Sequence, residues 1–196
     1  MYDVIGGELL IDGHNVKDIP LEVLRKNVGL VQQESFLFSD TLLNNVSYGL
    51  REINKNKVVE ASKIAQFDKD VAAFTNGYDT IVGERGITLS GGQKQRASLA
   101  RAIAIDPKIL ILDDSFSAVD THTEEDILQQ LKVFMRDRTS IVISHRISTV
   151  QNADKIIVIS DAKIAEEGTH EELVKLGGIY ADIHYKQLLE KELEEI

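Results

Sequence analysis

The chain has 196 residues, with 43% hydrophobic residues, 22 Lys and Arg against 32 Asp and Glu (net charge -10), and no cysteine. That length suffices for one domain with a sizeable core, or one domain plus a lobe. The composition excludes disulfides and thiolate metal sites, fits a reducing compartment, and argues against non-specific nucleic-acid binding, because phosphate is repelled.

No stretch approaches the roughly 20 apolar residues that a membrane helix needs. The opening MYDVIGGELL lacks the positive end and apolar core of a signal peptide. Work at a membrane would need contact supplied by another chain or segment.

Along the chain, Glu8 to Asp12 is a short apolar run closed by Gly13, a strand and turn. Pro20 opens a brief helix, LEVLRKN, and Val28 to Val31 is a strand that leads into a polar loop, Gln32 to Ser35. From about Leu42 to Thr75 the pattern is helical, with Val58, Ala61, Ile64 and Ala65 on one face. Asn76 to Leu89 is rich in turn residues, and Gly91 to Ile105 is a helix stopped by Asp106-Pro107.

Ile109 to Leu112 is apolar at every position, the pattern of a strand buried on both faces in a parallel sheet. A helix from about Thr123 to Phe134 precedes strands at Thr139 to Ile143 and Lys155 to Ile159. A last strand, Lys163 to Glu166, leads to helices at His170 to Lys175 and Ile179 to Glu195. Strands alternating with helices predict an α/β fold with a mainly parallel sheet. The Lys/Glu-rich end KQLLEKELEEI reads as a solvated helix face.

Two strings carry chemistry. ILILDD ends a buried strand in two acids, Asp113 and Asp114, at the sheet edge where open α/β folds bind ligands. One acid can hold Mg²⁺ and the next can orient an attacking water; the plain alternative is that both cap the following turn. The second string, LSGGQ, places Ser90, Gly91, Gly92 and Gln93 at a helix start. Free N–H groups and the helix dipole there favour an anion, although Ser90 alone would be an ordinary N-cap.

LSGGQKQRASLARAI followed by ILILDD resembles the signature motif and Walker B strand of ATP-binding-cassette (ABC) proteins. The likeness spans essentially the whole chain. It implies a P-loop NTPase-like α/β fold with ATP and Mg²⁺ as cofactors. It divides the chain into an α/β core part, 1–41 and 106–196, and a helical lobe, 42–105, that carries the signature. Gln33, in GLVQQESFLF, matches the family's Q-loop glutamine, which contacts Mg²⁺ and the attacking water; Gln32 stands where many relatives have proline. Asp120, in SAVD, matches the D-loop that runs along a dimer interface, and His145, in VISHRIST, matches the switch histidine at the γ-phosphate. Singly, each has a bland reading: Gln33 as a solvated loop residue, Asp120 as an N-cap, His145 as structural. In order and at family spacing they join into one site. His14, His122, His170 and His184 have no partner pattern. TIVGERG, residues 80–86, resembles a loop of ABC exporters that touches the membrane domains.

Two features depart from the family. No G-x-x-x-x-G-K-[S/T] string (Walker A) occurs in the sequence. In relatives a segment like MYDVIGGELLIDG follows the Walker A helix, so the resemblance implies a partial domain without the first strand, P-loop and first helix. It places the Walker A strand inside the sheet next to the Walker B strand, so Ile109 to Leu112 is expected to lose a neighbour and to expose unpaired backbone and apolar side chains. The second departure is Asp114, where most relatives have glutamate. Aspartate with an intact LSGGQ resembles one subunit of the heterodimeric bacterial multidrug exporters, in which one of two ATP sites is degenerate.

The resemblance thus implies the ATPase domain of an exporter at the cytoplasmic face of a membrane. Its partners would be a second ABC ATPase domain and transmembrane domains, with no nucleic acid. Two rivals are an inert piece that pairs with a partner ABC domain, soluble if expressed as this chain, and a soluble ABC ATPase outside transport. The second would predict a basic surface or coiled-coil inserts, and neither is present in the sequence.

Overall fold

The computed structural model describes residues 4–83 and 86–194. The chain divides into two units, residues 1–141 and 142–196.

The first unit opens with a small antiparallel pair, β1 (Leu10–Ile11) and β2 (His14–Asn15). Helix α1 (Leu21–Asn27) follows, with Pro20 at its N-cap rather than inside its first turn. Strand β3 (Val28–Val31) pairs in parallel with β4 (Ile109–Asp113), placing Gly29 opposite Leu110 and Val31 opposite Leu112. Between them lie α2 (Leu42–Ser47), α3 (Lys55–Ile64), α4 (Asp68–Ala73) and the long α5 (Gly91–Ala104). The helical pattern read over 42–75 resolves into three helices, and Thr41 and Asn54 accept N–H bonds at the starts of α2 and α3. Val58, Ala61 and Ala65 of the anticipated face are buried, and Ile64 is half-buried. After β4 come α6 (Thr121–Met135) and β5 (Thr139–Ile143), and the sheet order is β3-β4-β5.

Helix α5 covers one face of this sheet. A Cβ on Gly29 would lie 2.9 Å from the carbonyl oxygen of Ala102 in α5 and 2.8 Å from Pro107, so only glycine lets the helix sit this close. The same face carries Leu110, Val31 and Leu112, all essentially inaccessible. On the opposite face Leu30, in register with Ile111, is 42% exposed. Burial of β4 therefore alternates, where its unbroken apolar run predicts burial on both faces. The expectation that β4 loses a neighbour is also corrected. It is the middle strand of the three, and the apolar exposure falls instead on Leu30 and on Ile141 and Ile143 of β5.

The second unit contains α7 (Ile147–Val150) and an antiparallel pair, β6 (Ile156–Ser160) with β7 (Lys163–Gly168). Helices α8 (His170–Leu176) and α9 (Ile179–Glu194) complete it. Ile147, Ile156, Leu173 and Tyr180 form its buried cluster. Thr169 and Glu172 make a capping box on α8, and Gly177 ends that helix with a left-handed φ of 70°. Among the described residues no helix is long and apolar enough to cross a membrane.

Polar groups buried with α5 fix the loop that follows β3. The Arg101 guanidinium donates to the carbonyls of Asn45 (2.8 Å) and Phe36 (2.9 Å) and to the Asn45 side-chain oxygen (3.0 Å). Asn45, 1% exposed, accepts the N–H of Phe38 and donates back to its carbonyl, closing the loop on α2. Burial pushes the Arg101 pKa down, yet the charge persists, because its ordinary value is far above neutrality. Replacing Arg101 with Ala should lower the unfolding free energy by about 3 kcal/mol, because buried acceptors lose a charged donor. Arg101→Lys should recover little, since one ammonium cannot span the fork of acceptors. Urea unfolding of the three proteins checks both statements.

Candidate functional site

The loop after β3 and the end of β4 bring Gln33 and Asp114 together. Parallel pairing of Val31 with Leu112 ends both strands at the same sheet edge, where the Gln33 side-chain amide donates to a carboxylate oxygen of Asp114 at 3.3 Å. Of the two adjacent glutamines, it is Gln33 that reaches the acid. Asp113 is the last residue of β4, and Asp114 begins the turn with a left-handed φ of 42°. Its carbonyl accepts the Ser117 hydroxyl at 3.1 Å, folding residues 114–117 into a tight corner. The pair Asp113 and Asp114 with Gln33 offers hard oxygen ligands suited to Mg²⁺.

Ser90 is the N-cap of α5 in a complete capping box: its hydroxyl accepts the Gln93 N–H at 3.2 Å, and the Gln93 side chain accepts the Ser90 N–H at 3.0 Å. The amides of Gly91 and Gly92 occupy the first turn, which lacks intrahelical acceptors, so this end of the helix favours an anion. Gly92 is also a packing glycine. A Cβ there would come 2.8 Å from the Ala118 carbonyl oxygen, and one on Gly91 would come 3.1 Å from the Ala118 side chain.

Three residues that motif reading passed over hold this turn. Asp70 of α4 accepts two guanidinium bonds from Arg96, both at 2.9 Å, and one from the Gln93 amide at 3.1 Å. Gln95, 4% exposed, donates to the Ser117 hydroxyl and accepts the Ala118 N–H, each at 2.9 Å. A pattern of apolar positions gives no hint of them; the one available signal is the run of four polar residues, 93–96, in the first turns of a helix that is otherwise largely buried.

Asp120 caps α6 through the Thr123 N–H at 2.9 Å. That bond, backed by a further one from the Thr123 side chain, holds its carboxyl below the usual aspartate range. The bland reading of Asp120 is thus fulfilled in the structure, and the carboxylate stays exposed. His145 belongs to the second unit. Its carbonyl accepts from the Gln187 side chain of α9 at 2.7 Å, while the oxygen of the same amide accepts the Ile147 N–H at 2.9 Å. Gln187 lies in the segment read as a solvated helix face, so that face also holds the backbone around His145. Glu84 and Arg85 of the TIVGERG string lie outside the described residues.

Two outcomes follow for this region. Gly92→Ala, which in a plain helix would raise stability, should lower it by about 2 kcal/mol, because a backbone oxygen blocks the methyl group. Thermal unfolding of Gly92→Ala beside Gly91→Ala checks the sign. For Asp120 the folded pKa is depressed, so its contribution is present above the unfolded pKa and lost as pH falls through the folded value. The stability gap between the wild type and Asp120→Asn should therefore exist at neutral pH and close in the acid range below about pH 4.

The ABC transporter family model matches residues 1–117. The chain is 48% identical over 183 residues to the uncharacterized ABC transporter ATP-binding protein YknU of Bacillus subtilis, covering 93% of this chain and 31% of that protein. It is 42% identical over 194 residues to an ATP-dependent lipid A-core flippase of Syntrophus aciditrophicus, covering 99% of this chain and 32% of that one. It is 47% identical over 188 residues to a putative multidrug export ATP-binding/permease protein of Staphylococcus aureus, covering 96% and 32%. Among solved structures, a bacterial Atm1-family ABC exporter with ATP bound matches with a TM-score of 0.90 at 41% identity, over 95% of this chain and 33% of that one. The chain therefore spans about a third of the length of the curated relatives it matches. From residues 1–117 and the fold together, the chain belongs to the ABC transporter family.

Proposed function

We propose that this chain supplies ATP-binding and ATP-hydrolysing parts of an ABC exporter that drives a substrate across a membrane, working at its cytoplasmic face. The observation that carries this reading is the 3.3 Å contact of Gln33 with Asp114 at the end of β4. It joins a metal-binding amide to the acid that would orient water, at the sheet edge where such folds bind ligands. Asp113 and Gln33 would hold Mg²⁺, and Asp114 would position the attacking water. By its motif, His145 would meet the γ-phosphate. Ser90, Gly91, Gly92 and Gln93, with Asp120 alongside, serve the ATP held by a facing ABC domain. ATP with Mg²⁺ supplies a phosphoanhydride to be cleaved and a cation that offsets its charge.

The exporter relatives support this assignment, since two of them are an ATP-dependent lipid A-core flippase and a putative multidrug export protein. Transmembrane domains and a second ATPase domain are the partners it requires. We assign the second ATPase domain to a different subunit, because Asp114 stands one methylene short of the usual glutamate. A misplacement of about 1 Å can cost on the order of 100-fold in rate.

Assay of a transporter containing this chain tests the assignment. Gly92→Asp should remove most ATPase activity, because its carboxylate blocks the Gly91–Gly92 amides and its Cβ strikes Ala118. Asp114→Asn should cost less than about threefold, if the partner's glutamate carries turnover. The reverse ranking would mean that Asp114 hydrolyses its own ATP and that the heterodimer assignment is wrong. Loss of ATPase in neither variant would remove the ATPase reading altogether.

A further inference from the structure

Gln95 stands out among groups that no motif assigns. It lies on the second turn of α5, buried between the half-buried Lys94 and Arg96, and both ends of its side-chain amide are bonded to one loop. Its nitrogen donates to the Ser117 hydroxyl at 2.9 Å, and its oxygen accepts the Ala118 N–H at 2.9 Å. The Ser117 hydroxyl in turn donates to the Asp114 carbonyl at 3.1 Å. Buried amides of this kind are costly unless both ends are satisfied, and here both are. The loop is seated on the helix without space to spare, since Gly91 and Gly92 admit Ala118 only because they lack a Cβ.

We propose that Gln95 is a positioning residue that makes the Ser90–Gly92 turn and the 114–118 corner move as one body. The chain of contacts runs from Gly92 through the seat of Ala118 to the Gln95 amide, then through Ser117 to the carbonyl of Asp114. A change in the backbone of Asp114, whose φ of 42° is already unusual for a side-chain-bearing residue, is carried to the helix start. The proposal rests on the ATPase reading above for its consequence: the acid of one nucleotide site and the signature turn serving another are linked inside a single chain. Such a link is a coupling between sites through packed, hydrogen-bonded groups.

The test uses the full 196-residue chain labelled with ¹⁵N. Gln95→Met keeps the volume and removes both amide bonds, whereas Ser117→Ala removes one hydroxyl from the loop side and leaves α5 untouched. Gln95→Met should raise hydrogen exchange of the Ala118 amide at least about tenfold relative to α3 amides in the same molecule. Ser117→Ala should leave Ala118 exchange within about twofold, because the bond to the Gln95 oxygen remains, yet should shift the Gly91 and Gly92 amide resonances. A merely local structural role would leave those glycine resonances in place. Unchanged Ala118 exchange in Gln95→Met, or unmoved Gly91 and Gly92 signals in Ser117→Ala, overturns the proposal. Should Gln95→Met fail to fold, the Ser117→Ala signals decide alone. These readouts involve no nucleotide, so failure of the ATPase reading would appear in the transporter assay and leave them intact.

Discussion

The structure depends on a constraint placed on α5: a helix buried over most of its length must find partners for the long polar side chains it buries. Ala97, Leu99, Ala100 and Ile103 are buried apolar positions, and they tie the helix to the sheet and to α2 and α3. Gln95 is buried among these positions, and Gln93, Arg96 and Arg101 are half-buried. Each is satisfied by a loop or a neighbouring helix: Gln95 by residues 117–118, Arg96 and Gln93 by Asp70, Arg101 by residues 36 and 45. The cost of an unpaired buried donor exceeds the gain from a paired one, so these loops are fixed by what they prevent as much as by what they provide. Within the first unit, the Ser90–Gln93 turn belongs to that helix and the Asp114 carbonyl lies two bonds from it, through Ser117.

This arrangement explains the electrostatics of the helix start. Arg96 stands one turn from Gly92, its guanidinium 3.4 Å from where a Gly92 Cβ would be, and would by itself be an anion ligand. Asp70 neutralises it through a largely buried pair, with both side chains 13–14% exposed. Attraction for an anion at this turn then rests on backbone N–H groups and the helix dipole, whose geometry is fixed, rather than on a mobile side chain. A fork of bonds from Arg96 and Gln93 onto one carboxylate also sets how α4 meets α5. Gln93 therefore has a structural duty in addition to any duty toward nucleotide.

How much of this was legible in the sequence depended on what kind of pattern carries it. Strands β3 and β4 follow directly from apolar runs bounded by turns, and α5 from its cap and its stop at Asp106-Pro107. The placing of Gln33 against Asp114 follows from the motif once parallel pairing is granted, because both strands then end at one edge. The neighbours of β4 did not follow, since strand order is a non-local property that an apolar run does not encode. Gln95, Asp70 and Gln187 were hidden for a related reason. A glutamine that clamps a loop looks, in one dimension, like a glutamine in water, and only the third dimension shows where its amide goes. Conversely, the exposed Ile141 and Ile143 look like core in the sequence, because β-branched residues report strand formation more strongly than they report burial.

The aspartate at 114 has a local physical reason that a comparison of side-chain lengths misses. With φ at 42°, this residue lies in the left-handed region, where Asp and Asn are several-fold better tolerated than other side-chain-bearing residues. A glutamate here would meet the same backbone with a less tolerant side chain, and the corner to Ser117 would have to relax or carry the strain. Aspartate relieves that strain while shortening the reach of the carboxylate, so conformational comfort and catalytic reach pull in opposite directions at one residue.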